Sequence, residues 1–350
     1  MTPLLFIKHK GFNARTVEND VSILSEKFSV KMYEVNTSKG IGFFTAFIKQ
    51  FWWLLFFIYR YKVIFIWFAD YHSLLPVFFA KITGKFSVIN IGGYDADEIL
   101  IGKPHSFKDK FRKFCVVYSV KNCSKLLPVS GIMKGYLEKA VSPDKCETVY
   151  CCVDTGMFPP PAEIPVKENI IITVGGGGAF IKEAKRKRLD LFIQLGNDFC
   201  QKYPEYNAQF FAIGHNAGSE TYSYLLPMIK NKNVELKPAT GSIDELISYY
   251  KKASVYMQLS FYEAFGIAQV EAMMYGCIPL SNPGGAIKEV IGNAGFTVEN
   301  YDIDKYLQLI KEILDKKHEG LRLSAQKRAE QNFSLEARRI KLLEILSSHS

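Results

Sequence analysis

Short apolar runs alternate with amphipathic helical patterns along most of this chain, and that alternation limits the fold more than any other feature. Leu4–Lys8, Val30–Tyr33, Val63–Phe68 and Ser87–Ile91 read as strands in the first half. Asn169–Val174, Ala208–Ile213, Asn233–Leu236, Ser254–Gln258 and Ile278–Leu280 do so in the second. Leu126–Pro128 and Thr148–Tyr150 are shorter apolar runs. Asn13–Lys27 places Val17, Val21, Ile23 and Leu24 at helical positions. Repeated strand–helix units need crossovers, which yield parallel sheets covered by helices. At 350 residues the chain is about twice a typical domain, so two such domains are expected. Phe158-Pro159-Pro160-Pro161-Ala162-Glu163-Ile164-Pro165 is the Pro-rich stretch and reads as the linker. The expected division is 1–163, 164–332 and a final helical segment 333–350, with Ser334 as its N-cap.

Within the second half, one string carries chemistry: Ser260-Phe261-Tyr262-Glu263-Ala264-Phe265-Gly266-Ile267-Ala268-Gln269-Val270-Glu271-Ala272-Met273-Met274-Tyr275-Gly276-Cys277-Ile278-Pro279. Glu263 precedes a helix, and Glu271 lies more than a turn inside it. The backbone amides of Phe265, Gly266 and Ile267 sit at the helix N-terminus. Unpaired amides and the positive end of the helix dipole favour an anion there. A diphosphate flanked by hydroxyl-bearing groups, as in a nucleotide sugar, suits that arrangement.

The string resembles the E-x7-E motif of retaining nucleotide-sugar glycosyltransferases, the glycosyl transferases group 1 family. Glu263 and Glu271 have its spacing, and Phe265-Gly266, Glu271-Ala272, Gly276 and Pro279 match its flanks. Val153-Asp154-Thr155-Gly156-Met157-Phe158-Pro159 resembles the V-D-x-x-x-F-P signature that closes the family's N-terminal domain, and Pro128-Val129-Ser130 fits a strand ending in a helix-opening Ser. The resemblance covers about 126–345 well and the first 125 residues loosely. It implies an α/β GT-B fold, two Rossmann-like domains whose parallel sheets face each other across a cleft, with the last helix crossing back to the first domain. It also implies that Glu271 holds ribose hydroxyls and Glu263 hexose hydroxyls. Transfer with retention would proceed by front-face attack, without a protein nucleophile, cofactor or metal.

A second motif opens the second domain, where Ile172-Thr173-Val174 runs into Gly175-Gly176-Gly177-Gly178. Glycines let a backbone approach a phosphate closely. No G-K-[ST] follows, which excludes a P-loop, and no G-x-G-x-x-G with a ribose acid points to nicotinamide. Relatives place an Arg after the first glycines and a Lys before G-x-D on the donor phosphates. Here Lys187 stands in the Lys position with Asp190 as the acid, Gly176 replaces the Arg, and Arg188 replaces the Gly. Arg186 and Arg188 are therefore additional candidate phosphate ligands. A merely solvated basic loop is the other reading of these residues.

In the first domain, Ile91-Gly92-Gly93-Tyr94-Asp95 falls where many relatives have a histidine-glycine-x-aspartate, with Gly92 in place of the His. Asp95 is expected to reach the acceptor or the transferred sugar. Asp95-Ala96-Asp97 is also a D-x-D, a spacing that alone is weak evidence for a metal. His72 is the nearest His candidate for the cleft, or else a polar loop residue. Arg15, between first strand and first helix, either contacts a phosphate or lies on the helix's exposed face.

Charge bears on the partners. Formal net charge is +9, and residues 1–165 hold 21 Lys/Arg against 14 Asp/Glu, the remainder 23 against 21. No nucleic-acid motif accompanies the excess. Residues 43–62 are intensely aromatic, including Trp52 and Trp53 with Lys49 and Arg60. The apolar run is too short to span a membrane. It suits an interfacial helix on an anionic leaflet, or a helix packed on the sheet. The seven cysteines form no C-x-x-C pair, and a reducing compartment with buried free thiols is expected. The N-terminus lacks signal-peptide form. Taken with the resemblance, which implies a retaining hexosyltransferase, these features lead to the expectation of a cytoplasmic protein, peripheral on a membrane if residues 43–62 form the interfacial helix. It would use a UDP- or GDP-linked sugar and a glycan or lipid-linked saccharide acceptor in cell-surface polysaccharide synthesis, such as lipopolysaccharide. A non-catalytic nucleotide-sugar-binding protein and a phosphorylase or epimerase on the same fold are the rivals.

Overall fold

The structure, a computed structural model, describes residues 1–12, 15–36, 41–93, 95–96, 107–175 and 180–347. Asp97 and Gly176, both singled out above, lie outside them. The chain divides into two compact units, Met1–Cys151 with Leu335–Ser350, and Cys152–Ser334.

The first unit is a parallel sheet of β1 (Thr2–His9), β2 (Phe28–Val35), β3 (Val63–Trp67), β4 (Phe86–Ile91) and β5 (Lys125–Pro128), ordered β2-β1-β3-β4-β5. Its helices are α1 (Arg15–Ser25), α2 (Ile41–Phe57), α3 (Tyr71–Ile82), α4 (Phe107–Asn122) and α5 (Gly131–Leu137). The step from β1 to β2 runs opposite to the steps from β2 through β5. Right-handed crossovers therefore put α1 on one face and α2, α3 and α4 side by side on the other. Covered on both faces, β3 reads as the continuous run Val-Ile-Phe-Ile-Trp, and all five residues are buried.

The second unit repeats the design with six parallel strands: β6 (Glu168–Val174), β7 (Gln209–Ile213), β8 (Val234–Lys237), β9 (Ala253–Gln258), β10 (Ile278–Ser281) and β11 (Phe296–Thr297). Their order is β11-β10-β9-β6-β7-β8. The two-residue β11 is too short to leave a periodic signal. Around the sheet lie α6 (Ile181–Arg186), α7 (Leu189–Lys202), α8 (Glu220–Leu225), α9 (Ile243–Lys252), α10 (Ile267–Met274), α11 (Ile287–Ile291), α12 (Ile303–Leu314) and α13 (Gly320–Phe333). Side-chain oxygens of Ser219, Ser242 and Asp302 cap α8, α9 and α12.

The chain returns to the first unit in α14 (Leu335–Ser347). Arg338 on that helix pairs with Asp20 on α1, Nε–Oδ1 2.6 Å and Nη2–Oδ2 2.8 Å. Trp67 Nε1–H donates to Asp20 at 2.8 Å, and Arg338 also donates to Asn90 Oδ1 and the carbonyls of Val149 and Tyr150.

The division between units falls at Cys151/Cys152, ahead of the expected linker. Val153 N–H donates to Phe333 O at 2.8 Å, Gln326 Nε2–H donates to Pro161 O at 2.7 Å, and Phe158 is buried near Tyr250. These contacts dock the Pro-rich segment on the second unit. Thr148–Tyr150 forms no strand, although Val149 N–H donates to Pro128 O at the end of β5. All seven cysteines are free, and Cys151 alone is half-buried rather than buried.

Candidate active site

In the second unit the expected residues gather where β6 and β9 end. After Val174 the chain enters Gly175, whose missing side chain makes room for His215: a Cβ there would lie 2.4 Å from His215 Nε2. His215 is buried, and neither ring nitrogen has a hydrogen-bond partner among the described residues. Burial, then the nearby charge of Lys187, pulls its pKa down to about 4, so the ring is neutral near pH 7. Lys187 Nζ donates one hydrogen bond, to Val174 O at 3.1 Å. Burial lowers its pKa, while the Glu263 carboxylate acts to raise it.

Arg186 lies between two acids. Its Nε donates to Glu183 Oε2 at 3.0 Å, and its Nη1 to Tyr262 O at 2.9 Å and Glu263 Oε1 at 3.2 Å. Glu263 Oε1 also accepts from Ser260 Oγ at 2.8 Å and Gln258 Nε2 at 3.1 Å. All three donors converge on Oε1, which fixes the carboxylate plane; among the described residues none donates to Oε2. Behind it, a Cβ at Gly285 would fall 2.2 Å from Glu263 O and one at Gly284 2.1 Å from Phe261 O. That glycine pair lets the Glu263 backbone seat itself, with Ala286 N–H donating to Glu263 O at 2.8 Å.

Arg188 has φ 53°, the left-handed conformation that a glycine adopts freely, at the very place where relatives carry Gly. An arginine there bears strain of about 1–2 kcal/mol. Two contacts offset it: Nε bonds Asp190 Oδ1 at 3.2 Å, and the guanidinium lies over the rings of Tyr301 (4.5 Å) and Phe261 (5.0 Å). The side chain is thus committed to an aromatic slot, whereas Arg186 reaches Glu263. The solvated-loop reading fails for Lys187, bonded to the end of β6, and for Arg186, bonded to the loop after β9.

Gly266 (φ 90°) precedes α10, and Gln269 N–H donates back to its carbonyl at 3.1 Å. Ile267 follows as the first helical residue. The Phe265 side chain is buried edge-on against Phe333, so this residue offers a ligand only backbone. Glu271 is half-buried, and its Oε2 accepts from Tyr250 OH at 3.0 Å. Buried Tyr256 donates to Gln258 Oε1 at 3.2 Å, which connects the wall below Glu271 to the Glu263 cluster. Ser260, Gln258, Tyr250, Gly284 and Gly285 were not predicted. Glycines after the apolar run Ile278–Leu280 were the available signal for the last two.

The first-unit candidates behave differently. Asp95 was expected to face an acceptor, yet its carboxyl is fully enclosed. Oδ1 accepts from Gly93 N–H at 2.9 Å and Oδ2 from Ala69 N–H at 3.1 Å, tying the turns after β4 and β3 together. Burial pushes its pKa up to about 7 against the pull of those amides. At Gly92, where the resemblance leads one to expect a His, a Cβ would lie 2.1 Å from the Phe68 ring. Phe68 itself has φ 65° and packs edge-on against Phe12 and Trp67. His72 is neither a cleft nor a loop residue. It lies buried in the first turn of α3, its Nε2–H donates to Trp67 O at 2.7 Å, and burial lowers its pKa. Arg15 is the exposed first residue of α1.

A family model described as glycosyl transferases group 1 matches residues 158–332. Glycogen synthase of Clostridium kluyveri is 24% identical over 141 residues, 37% of this chain, and the match spans only 28% of that enzyme's length. Among solved structures, sucrose-phosphate synthase from Thermosynechococcus elongatus superposes with a TM-score of 0.73 at 16% identity, over 99% of each chain. Anabaena HepE in complex with UDP gives 0.74 at 13% identity, over 99% of this chain and 100% of that one. At these identities the likeness establishes the fold, GT-B.

Proposed function

This chain belongs to the glycosyl transferases group 1 family, and from that premise we propose that it is a retaining hexosyltransferase using a nucleoside diphosphate sugar. The carrying observation is Glu263: three donors hold one oxygen while the other meets no donor among the described residues, beside Lys187 and the end of β6 at Gly175. HepE, of the same fold, was solved with UDP, which favours a uridine donor over a guanosine one.

Transfer breaks the bond between the sugar and the diphosphate, and negative charge grows on the leaving phosphate. Lys187 meets that charge. Its ammonium is already desolvated, so an approaching anion stabilises it and the transition state gains more than the ground state. Amides at the start of α10 add neutral donors, and no metal is required. Open Oε2 of Glu263 takes a hexose hydroxyl, and Glu271 takes the ribose hydroxyls. Arg186 positions Glu263. The leaving phosphate accepts the proton of the incoming acceptor hydroxyl on the same face, which preserves the anomeric configuration. The acceptor is a glycan or lipid-linked saccharide of cell-surface polysaccharide, met at the cytoplasmic side of a membrane.

Thermal shift with a panel of UDP and GDP sugars tests this reading. One donor should raise the melting temperature of the wild type, and Glu271→Ala and Lys187→Ala should abolish the shift. A folded wild type that responds to no donor would sink the proposal.

A further inference from the structure

Helix α2 has its polarity inverted. Among its described side chains Gln50 and Leu54 are the buried ones, and Gln50 Nε2–H donates to His72 O at 3.0 Å. The outer stripe is Phe44, Ile48, Trp52, Leu55, Phe56 and, one turn on, Tyr59, each between 42% and 68% exposed. These positions recur at helical spacing and form one face. The neighbouring helices continue it, with Phe78 and Ile82 exposed on α3 and Phe114 on α4. Scattered exposed apolar residues are ordinary on a protein surface, but a contiguous patch across three adjacent helices marks a contact surface.

Charge identifies the occupant. Residues 41–60, 71–85 and 107–122, which build this layer, contain nine Lys/Arg and one acid, Asp109. Lys49, Lys81, Lys110 and Lys121 are exposed. A second copy of the chain would bring the same positive excess against itself, so self-association on this face is opposed. An anionic lipid surface complements it, and Trp and Tyr rings with flanking Lys and Arg are the side chains that settle at a lipid–water boundary. No helix among the described residues is long and apolar enough to cross a membrane.

We propose that the outer side of the α2–α3–α4 layer is a docking face that lies flat on an anionic lipid surface, with the aromatic stripe of α2 inserted at the headgroup level. This deepens the reading of a membrane-presented acceptor and rests on it, but its readout does not require turnover.

The test is flotation of the full chain with vesicles of phosphatidylcholine alone and with about one-third phosphatidylglycerol. Wild type should float with the anionic vesicles, and lipids brominated in the upper acyl chain should quench Trp52 fluorescence. The triple variant Ile48→Ser/Trp52→Ser/Phe56→Ser changes only outward side chains and should keep the wild-type melting temperature while binding falls about a hundredfold. Lys49→Gln/Lys110→Gln should cost about tenfold, on anionic vesicles only. Wild type that does not float, or a triple variant that floats equally well, overturns the proposal. So does a wild-type dimer by light scattering that becomes monomeric in the triple variant, which would assign the face to a second copy. Loss of the nucleotide-sugar thermal shift with flotation intact would instead strike the donor reading alone.

Discussion

Asp20 with Arg338 in the first unit and Glu263 with Arg186 in the second are both carboxylate–guanidinium pairs, and they differ in what is left over. Asp20 and Arg338 are 0% and 1% exposed; Trp67 fills the second oxygen of the acid, while Asn90 and two carbonyls fill the arginine. No capacity remains for a ligand. Around Glu263 the same chemistry is arranged asymmetrically, with three donors on Oε1 and, among the described residues, none on Oε2. A buried pair that is saturated holds a fold together, whereas one held open from a single side presents a group for recognition.

The largest effect that can break this comparison is Arg338→Ala. It strands the buried Asp20 carboxylate and should destabilise the first unit by about 3–5 kcal/mol, read as a shifted urea midpoint with Trp67 fluorescence as reporter. Glu263→Gln comes next. It should lower kcat by about 10²–10³, roughly 3–4 kcal/mol of transition-state stabilisation, with the melting temperature nearly unchanged. A large fall in melting temperature here would make Glu263 another structural acid and erase the contrast.

Titration sharpens the comparison further, because Asp95 and His215 carry shifts of opposite consequence. The folded pKa of Asp95 is raised from the ordinary 3.8 to about 7. Its protonated form is favoured by folding, so stability is lost as pH rises from about 4 through 7. His215 is lowered from 6.5 to about 4, so its contribution is present above 6.5 and lost as pH falls through 4. Melting curves from pH 4.5 to 8 should therefore lose slope on the alkaline side in Asp95→Asn and on the acid side in His215→Gln, where His72 leaves a residual acid-side loss. Unchanged profiles in both variants would refute the assignments. The smallest effect belongs to Arg188→Gly, in which relief of left-handed strain offsets loss of the contacts with Tyr301, Phe261 and Asp190. Net stability should stay within about 1 kcal/mol in equilibrium unfolding.

These cases also show where sequence reasoning stops. Glu263, Glu271 and Gly266 were legible because a local string placed them relative to one helix, and helical geometry converts spacing into position; Lys187 came from a second string, the glycine run and basic loop after Val174. Asp95 is expected in the cleft and His72 either there or in a polar loop, since a polar residue after a strand commonly faces ligand or solvent. Both are instead enclosed, by amides of Ala69 and Gly93 and by the carbonyl of Trp67. Those partners come from a neighbouring strand end or an earlier turn, and no spacing rule names them. Ser260 and Gln258 lie within five residues of Glu263, yet nothing in that spacing says that their side chains turn onto its carboxylate.

By itself the sequence determined the two parallel-sheet units, because strands buried on both faces must be apolar throughout, and the family, because its motif is local. The tertiary structure alone decided how each charge is used. Whether a carboxylate is saturated or left open depends on donors far away in the chain, as Arg186 is from Glu263 and Arg338 from Asp20. The same holds for the aromatic face of α2. The sequence allowed it to pack on the sheet or to face outward, and only the packing of α3 against it settled which side chains were left outside.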